Sequence, residues 1–275
     1  MKLLVLTATA LFAFAAGSCQ AVPIYFTGFD NPPFTLGPIN GQAGWFVFSA
    51  SCQTSDPVIE NTVVQSGLQA VGVDGFVTGQ TGPVWAPNLT LPVFDMSADI
   101  FLGSGSSQSE WQFASTGAGG IGFAGGIDIH SDNSIVAITG NYATVLGTWS
   151  RDVWHHVDLL LNYSSQTYSV VLDGTTIGFG LAFCGNNFGT STGAPVTTMS
   201  WDLFDSFGNG NDFGAIDNFS ISTPVCGTDE SGPVGQRTRW QTGSPSPEAR
   251  ISELQRKTPS FRPPPLRRGF FLPLA

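Results

Sequence analysis

The sequence predicts an all-β protein, an antiparallel β-sandwich, and three observations lead to this prediction. The segment 154–174, WHHVDLLLNYSSQTYSVVLDG, alternates apolar and polar residues on both sides of a short polar turn, which is typical of a β-hairpin. The rest of the chain up to Thr223 is rich in Gly, Ser, Thr and Asn and has no helical periodicity of useful length. About a dozen short strand-like runs between turn residues fit one large sandwich or jelly roll.

Each predicted strand is a run of apolar, β-branched or aromatic residues that ends at Gly, Pro, Asn, Asp or Ser. About 200 residues of such sequence are enough to bury one core. In chain order the predicted strands are Ile24–Phe29, Trp45–Phe48, Val58–Val64, Leu68–Val73, Leu89–Leu102, Ser109–Phe113, Gly120–Ile129, Ser134–Ile138, Val153–Tyr163, Thr167–Leu172, Thr176–Phe183, Thr197–Phe204 and Gly214–Ser222.

The N-terminus has the pattern of a secretory signal peptide. Met1-Lys2 precedes an apolar stretch to Ala16 and small residues to Ala21, so we expect cleavage after Ala21. This predicts a secreted or extracellular protein whose β-sandwich domain covers residues 22–223. Residues 16–19 also loosely resemble a bacterial lipobox, and in that alternative Cys19 is lipidated and the protein is associated with the cell envelope. No later segment is long and apolar enough to span a membrane.

The charges are distributed unevenly along the chain. Arg151 is the single Lys or Arg between Val22 and Val225, where there are sixteen acidic residues. Such a surface cannot neutralise a phosphate backbone, so nucleic acid is excluded as a partner. The tail, residues 224–275, is basic and rich in Pro, Ser and Arg, which predicts disorder. The composition of the tail differs so sharply from that of residues 22–223 that it suggests sequence translated from a foreign reading frame. The alternative is a native basic tail that binds the acidic domain or an anionic envelope surface electrostatically.

Two segments resemble a known family. Trp154–Leu159 followed by Tyr168–Gly174 resembles the W-h-x-V-x-L … Y-x-V-x-L-D-G hairpin of concanavalin A-like (laminin-G-like) jelly rolls. The segment Gly214–Ser222 is similar to the last strand of those domains and of β-sandwich carbohydrate-binding modules. The chain also resembles exported bacterial proteins with a Pro-Glu-Pro sorting tail, but the Pro-Glu-Pro motif and its membrane helix are missing after Thr223.

This resemblance implies a binding module with structural calcium. In the similar carbohydrate-binding modules, an acid near the first strand and an Asp in the last strand share a calcium ion, and the matching residues here are Asp30 and Asp217. Carboxylate and carbonyl oxygens are the ligands that calcium prefers. The alternative is that Asp217 only caps a strand through hydrogen bonds to the backbone.

The predicted function is non-catalytic recognition of carbohydrate or extracellular matrix. Aromatic faces stack on sugar rings, and four aromatic residues near predicted loops or strand ends are candidate ligand-binding residues: Trp85, Trp111, Tyr142 and Trp149. Trp45 and Trp154 are expected to pack in the core. Two alternatives stay open, a structural protein of the envelope or matrix without a discrete ligand, and a glycoside hydrolase.

Catalytic and zinc-binding patterns are missing from the sequence. Glucanases with this jelly roll carry a Glu-x-Asp-x-Glu strand, and neither Glu60 nor Glu110 lies in such a pattern. His130, His155 and His156 lack the spacing of a zinc site. In an oxidising compartment Cys52 and Cys184 would form a disulfide; two buried free thiols are the alternative.

Overall fold

The computed structural model describes residues 20–49, 56–86, 88–117, 123–140, 143–185, 199 and 201–225. These residues form fourteen β-strands and no helix, and every strand pair is antiparallel. The strands are β1 Gln20–Thr27, β2 Gly37–Pro38, β3 Trp45–Ser49, β4 Val58–Glu60, β5 Ala70–Trp85, β6 Val93–Leu102, β7 Glu110–Thr116, β8 Phe123–Ile129, β9 Ser134–Ala137, β10 Val145–Thr148, β11 Trp154–Asn162, β12 Thr167–Leu172, β13 Thr175–Ala182 and β14 Trp201–Val225.

The strands form two layers that share the long strand β14. The first layer has the order β10-β9-β8-β7-β14-β5-β3, and the N-terminal part of β14 pairs with β7 and β5. The second layer has the order β13-β12-β11-β6-β14, and the C-terminal part of β14 also pairs with β5 and β1. The register of β14 against β5 shifts between Phe207 and Phe213, where β14 passes from one layer to the other.

The two layers enclose one apolar core. Ile127 of β8 and Leu161 of β11 belong to the same cluster of fully buried side chains, although they lie in different layers. Tyr168 of β12 crosses between the layers, and its hydroxyl is 3.0 Å from the carbonyl oxygens of both Gly126 and Ile138. A Cβ on Gly125 would lie 2.7 Å from the Tyr168 ring, so only glycine allows this close approach. The prediction of an all-β, antiparallel β-sandwich is confirmed.

The hairpin that the sequence predicts is present in the second layer. β11 pairs with β12 from Val157–Leu172 to Asn162–Thr167, and the polar turn joins them. Asp173 and Gly174 both have positive φ, 49° and 75°, as the two-residue turn of a tight hairpin requires, and they connect β12 to β13. Val157, Leu159 and Leu161 of β11 are buried, which is the reason for the alternation.

The two longest strands differ from the prediction. β5 continues from Ala70 to Trp85, well past the predicted end at Val73, and β14 is one strand where two shorter ones were predicted. Glycine and polar residues interrupt the alternation in these segments, so a prediction from the alternation alone ends each strand too early. The partners β7 and β6 on one side of β14 supply the hydrogen bonds that extend it.

The predicted domain boundaries, after Ala21 and after Thr223, lie close to the limits of the described residues. β1 begins at Gln20, before the predicted cleavage point after Ala21, and pairs with the end of β14 at Val225. The remainder of the predicted signal peptide and the tail beyond residue 225 lie outside the described residues, so cleavage and the nature of the tail stay predictions. Within the part of the chain that the structure describes, no helix qualifies as a membrane span.

Candidate ligand-binding face

The outer face of the second layer carries a row of polar side chains. Strict alternation along β6 turns Asp95, Ser97 and Asp99 outward, because the residues between them, Met96 and Ala98, are buried in the core. The neighbouring strands add His156, Asp158 and Leu160 from β11, Asn218 and Ser220 from β14 and Phe26 from β1. These nine residues are called the β6–β11 face below.

His156 lies at the centre of the β6–β11 face between two carboxylates. Its Nδ1 is 2.6 Å from Asp99 Oδ1, and its Nε2 is 3.1 Å from Asp158 Oδ1. Both oxygens are acceptors, so the ring donates from both nitrogens and is an imidazolium ion. Hydrogen bonds to Asp158 and then to Asp99 accordingly raise the pKa of His156 to about 10, against the opposing effect of burial. The His156 side chain is 45% exposed, so this ion pair faces solvent.

The pKa values of two carboxyl groups on this face, Asp99 and Asp95, are shifted in opposite directions. Burial works to raise the pKa of Asp99, but hydrogen bonds from His156 and Asn218 outweigh it and lower that pKa. Burial, with a further contribution from the charge of Asp158, raises the pKa of Asp95 to about 6. One oxygen of Asp95, Oδ1, is shielded from solvent and has no hydrogen-bond partner among the described residues.

A bulge in β14 connects this face to the loop after β1. Asn218 has a φ of 48°, a left-handed conformation that Asn tolerates better than most residues, and the register shifts there between Asp217 and Ser220. The amide Nδ2 of Asn218 donates to Asp99 Oδ2 at 2.7 Å. Asp217, the preceding residue, is fully buried. The bulge therefore directs the Asn218 side chain to the β6–β11 face while Asp217 stays buried.

The structure brings the predicted calcium ligands Asp30 and Asp217 together. Asp30 Oδ2, Asp217 Oδ1 and Asn218 Oδ1 lie 3.7, 3.8 and 3.5 Å from the position that a Cβ on Gly28 would occupy. Asp30 Oδ1 accepts hydrogen bonds from the backbone N–H groups of Leu68 and Gln69. The carboxylate would collide with any side chain at residue 67, which is glycine with a φ of 70°.

Asp217 is held by the same loop. Its Oδ2 accepts hydrogen bonds from the backbone N–H groups of Gln65 and Ser66 at 3.2 and 3.0 Å. Burial raises the pKa of Asp217, although these backbone donors and that of Asn218 oppose the rise. The oxygens fit calcium chemistry. Among the residues that the structure describes, however, no group of three or more His, Cys, Asp or Glu side chains is arranged to hold a metal.

Most of the tryptophans that the sequence proposes for ligand binding are buried. Trp111 is 0% exposed and stacks on Phe204, and Trp149 is 2% exposed and packs edge-on against His155. Trp85 is half-buried and stacks on Tyr25 with ring centroids 4.0 Å apart. Alternation turns Trp111 into the core, so neither it nor Trp149 offers a free ring face to a sugar. Tyr142 lies outside the described residues.

The tryptophans expected in the core and the cysteines of the predicted disulfide are placed only in part as predicted. Trp45 is buried in the core as expected, whereas Trp154 is half-buried against Phe101. Cys184 is buried and has no sulfur partner among the described residues. Cys52 lies outside them, so the disulfide stays a prediction.

Sequence reasoning missed the β6–β11 face itself. The signal for it was the alternation Asp95-x-Ser97-x-Asp99, three polar residues on one face of a strand, next to His156 and Asp158 on another. The pairing of Asp99 with His156 in the β6–β11 register could not be deduced, because 57 residues separate them in sequence.

Comparisons with known proteins give a similarity in structure alone. No protein family and no curated protein sequence matches the chain. It is similar to a sialidase, with a TM-score of 0.49 and 15% identity over 68% of this chain and 17% of the sialidase. It is also similar to the cellulose-induced protein Cip1, with a TM-score of 0.49 and 16% identity over 68% of this chain and 96% of Cip1.

A third similar structure is the carbohydrate recognition domain of Emp46p. Its TM-score is 0.45 at 10% identity, over 66% of this chain and 90% of that domain. TM-scores below 0.5 at such identities give no information about a binding or catalytic site.

Proposed function

We propose that this protein is a non-catalytic module that binds carbohydrate through the β6–β11 face. The observation that carries the proposal is His156, half-exposed and fixed between Asp99 and Asp158. Sugar hydroxyls are recognised by rigid carboxylate, amide and imidazole groups that donate and accept hydrogen bonds, combined with apolar surface. Hydrogen bonds hold His156, Asp99 and Asn218 in place before a ligand arrives, which reduces the entropy lost on binding.

The face also has exposed apolar side chains near its polar row. Phe26 is 61% exposed and pairs with Ser220, which lies next to Ser97 and, one strand further, Asp158. The three strand spacings from Phe26 to Asp158 amount to about 14 Å. Leu160 is exposed beside Asp95. Phe26 would stack on one sugar ring while the His156 cluster binds the hydroxyls of another.

The charge of the face indicates which glycans it binds. Arg151 is the single Lys or Arg of residues 22–225, and its side chain is 5% exposed because it pairs with Asp212. Three Asp side chains and one imidazolium leave the face negative, so uronic or sulfated sugars would be repelled. Neutral polysaccharides are therefore the ligand class that this surface fits.

Calcium at Asp30 and Asp217 is the second part of the proposal. Their oxygens converge beside Asn218, whose side chain bonds to Asp99 of the face. A cation there would compensate the buried charge of Asp217 and stabilise the bulge that presents Asn218. Export through the signal-like N-terminus and disulfide formation between Cys52 and Cys184 belong to the same proposal.

A glycan array with the full-length protein tests the proposed function. We expect binding to neutral polysaccharides and weaker binding or none to polyuronates and sulfated glycans. His156→Ala and Asp158→Asn should each weaken binding at least tenfold. Asp132→Asn is the matched control, because Asp132 is exposed and its carboxylate accepts hydrogen bonds from Ser134 on a distant turn.

The array also separates the alternatives. No binding to any glycan, with or without calcium, would contradict the proposal and favour a structural role in the envelope or matrix. Cleavage of a bound polysaccharide would contradict its non-catalytic part. Binding that survives both substitutions would place the site elsewhere.

A further inference from the structure

The outer face of the first layer contains a second polar pair. Gln112 of β7 and Asp128 of β8 are directly opposite each other in the strand register. In sequence, each of these two residues has a buried core residue on both sides. Because successive side chains of a strand point to opposite faces, Gln112 and Asp128 point to the other face of the layer. Side chains in such a pair have Cβ atoms about 5 Å apart.

Both side chains are buried and incompletely paired. Gln112 is 2% exposed and Asp128 is 4% exposed, yet Gln112 Oε1 and Asp128 Oδ1 have no hydrogen-bond donor in the described part of the chain. The other oxygen of Asp128 is 3.7 Å from His130 Nε2. A buried acceptor without a donor destabilises the fold, and here two such acceptors belong to residues that are directly opposite each other in the strand register.

In the described register of β7, β8 and β9, the neighbours of this pair are apolar. Val136 of β9 pairs with Asp128 on its other side, and the next pair along the two strands is Ala114 with Gly126. Glu110 lies on the same face of β7 as Gln112, about 7 Å further along the strand, and is partly exposed. Burial raises the pKa of Asp128 to about 7, and the negative charge of Glu110 contributes to the rise.

We propose that Gln112, Asp128 and Glu110 bind a divalent cation, with calcium as the ion that this set of oxygens fits. All three side chains have acceptor oxygens, and a divalent cation can bind an amide oxygen and two carboxylates together. Glu110, at the exposed end, provides the route from solvent, and water completes the coordination. The site is separate from Asp30 and Asp217, which lie in the loop after β1 and on the C-terminal part of β14.

Calorimetric titration of the chelator-treated full-length protein with calcium chloride tests the proposal. Asp128→Asn should lower the calcium stoichiometry by one and weaken that site at least tenfold. The new amide can donate to Gln112 Oε1, so this variant stays folded without metal. Gln112→Leu removes a ligand together with its own buried acceptor oxygen, and it should also weaken the site. Asp30→Asn should leave this site unchanged.

The outcomes distinguish the two calcium sites. Wild-type stoichiometry and affinity in both Asp128→Asn and Gln112→Leu would overturn the proposal. It would also be overturned if the wild type binds one calcium ion and loses it in Asp30→Asn. Loss of one ion in Asp128→Asn and of another in Asp30→Asn supports both sites, whereas a single ion lost only in Asp128→Asn supports this site alone.

Discussion

Arg151 donates from Nη1 to Oδ2 of Asp212 at 2.7 Å, and both side chains are almost completely buried. The same oxygen of Asp212 accepts the indole N–H of Trp111 at 2.8 Å. Arg151 Nε donates to the side-chain oxygen of Asn133, so one guanidinium connects β14, the core tryptophan and the turn after β8. The one Arg of the body is therefore used inside the fold and is not available on its surface.

Removing this pair should destabilise the fold strongly. Arg151→Met leaves the Asp212 carboxylate buried and without its cation, and we expect the free energy of unfolding to fall by about 3–5 kcal/mol. Urea denaturation measures the change. Arg151→Met combined with Asp212→Asn should recover part of the loss, because no buried charge then remains. A loss below 1 kcal/mol in the single variant would contradict the prediction.

His156 should make stability depend on pH. The imidazole releases its proton near pH 6.5 when unfolded and near pH 10 when folded, so between these values the folded state holds more protons. Stability from His156 is therefore complete below pH 6.5 and is lost as the pH rises toward 10. The difference in unfolding free energy between wild type and His156→Gln should shrink steadily across this range; a constant difference would refute the ion pair.

Asp95 should have a destabilising effect at neutral pH. Burial raises its pKa from 3.8 to about 6, so above pH 6 the folded protein holds a partly buried carboxylate with an unpaired oxygen. Asp95→Asn should raise the unfolding free energy at pH 7.5 by roughly 1–2 kcal/mol, after allowance for solvent screening. The gain should disappear near pH 4, where wild-type Asp95 is protonated in the folded state. Chemical denaturation at the two pH values measures it.

Phe26 and Trp111 should respond oppositely to substitution. Phe26→Ser changes an exposed side chain, so the unfolding free energy should shift by less than about 0.5 kcal/mol while affinity for polysaccharide falls. Trp111→Phe removes the indole donor to buried Asp212 and should cost about 1–3 kcal/mol with affinity unchanged. Affinity electrophoresis and urea denaturation of the same preparations separate the effects. If Phe26→Ser binds like wild type, Phe26 has no part in the site.

Local patterns in the sequence determined most of the sandwich. The alternation from Trp154 to Leu172 specifies which side chains face the core, because successive residues of a strand point to opposite faces. Asp173-Gly174 specifies a tight turn, because both positions need positive φ. The pair Asp30 and Asp217 came from the resemblance to carbohydrate-binding modules and not from these patterns, and calcium at this pair stays a prediction.

Tertiary structure decided where the candidate sites lie. Alternation cannot tell which strands become neighbours, so it could not place Asp99 beside His156, or Gln112 opposite Asp128. Alternation also could not tell that Trp111 points into the core. It divides the residues of a strand between two faces, but it does not say which face the core covers. Long-range strand pairing and the burial that results from it fix these relationships, and both depend on the whole chain.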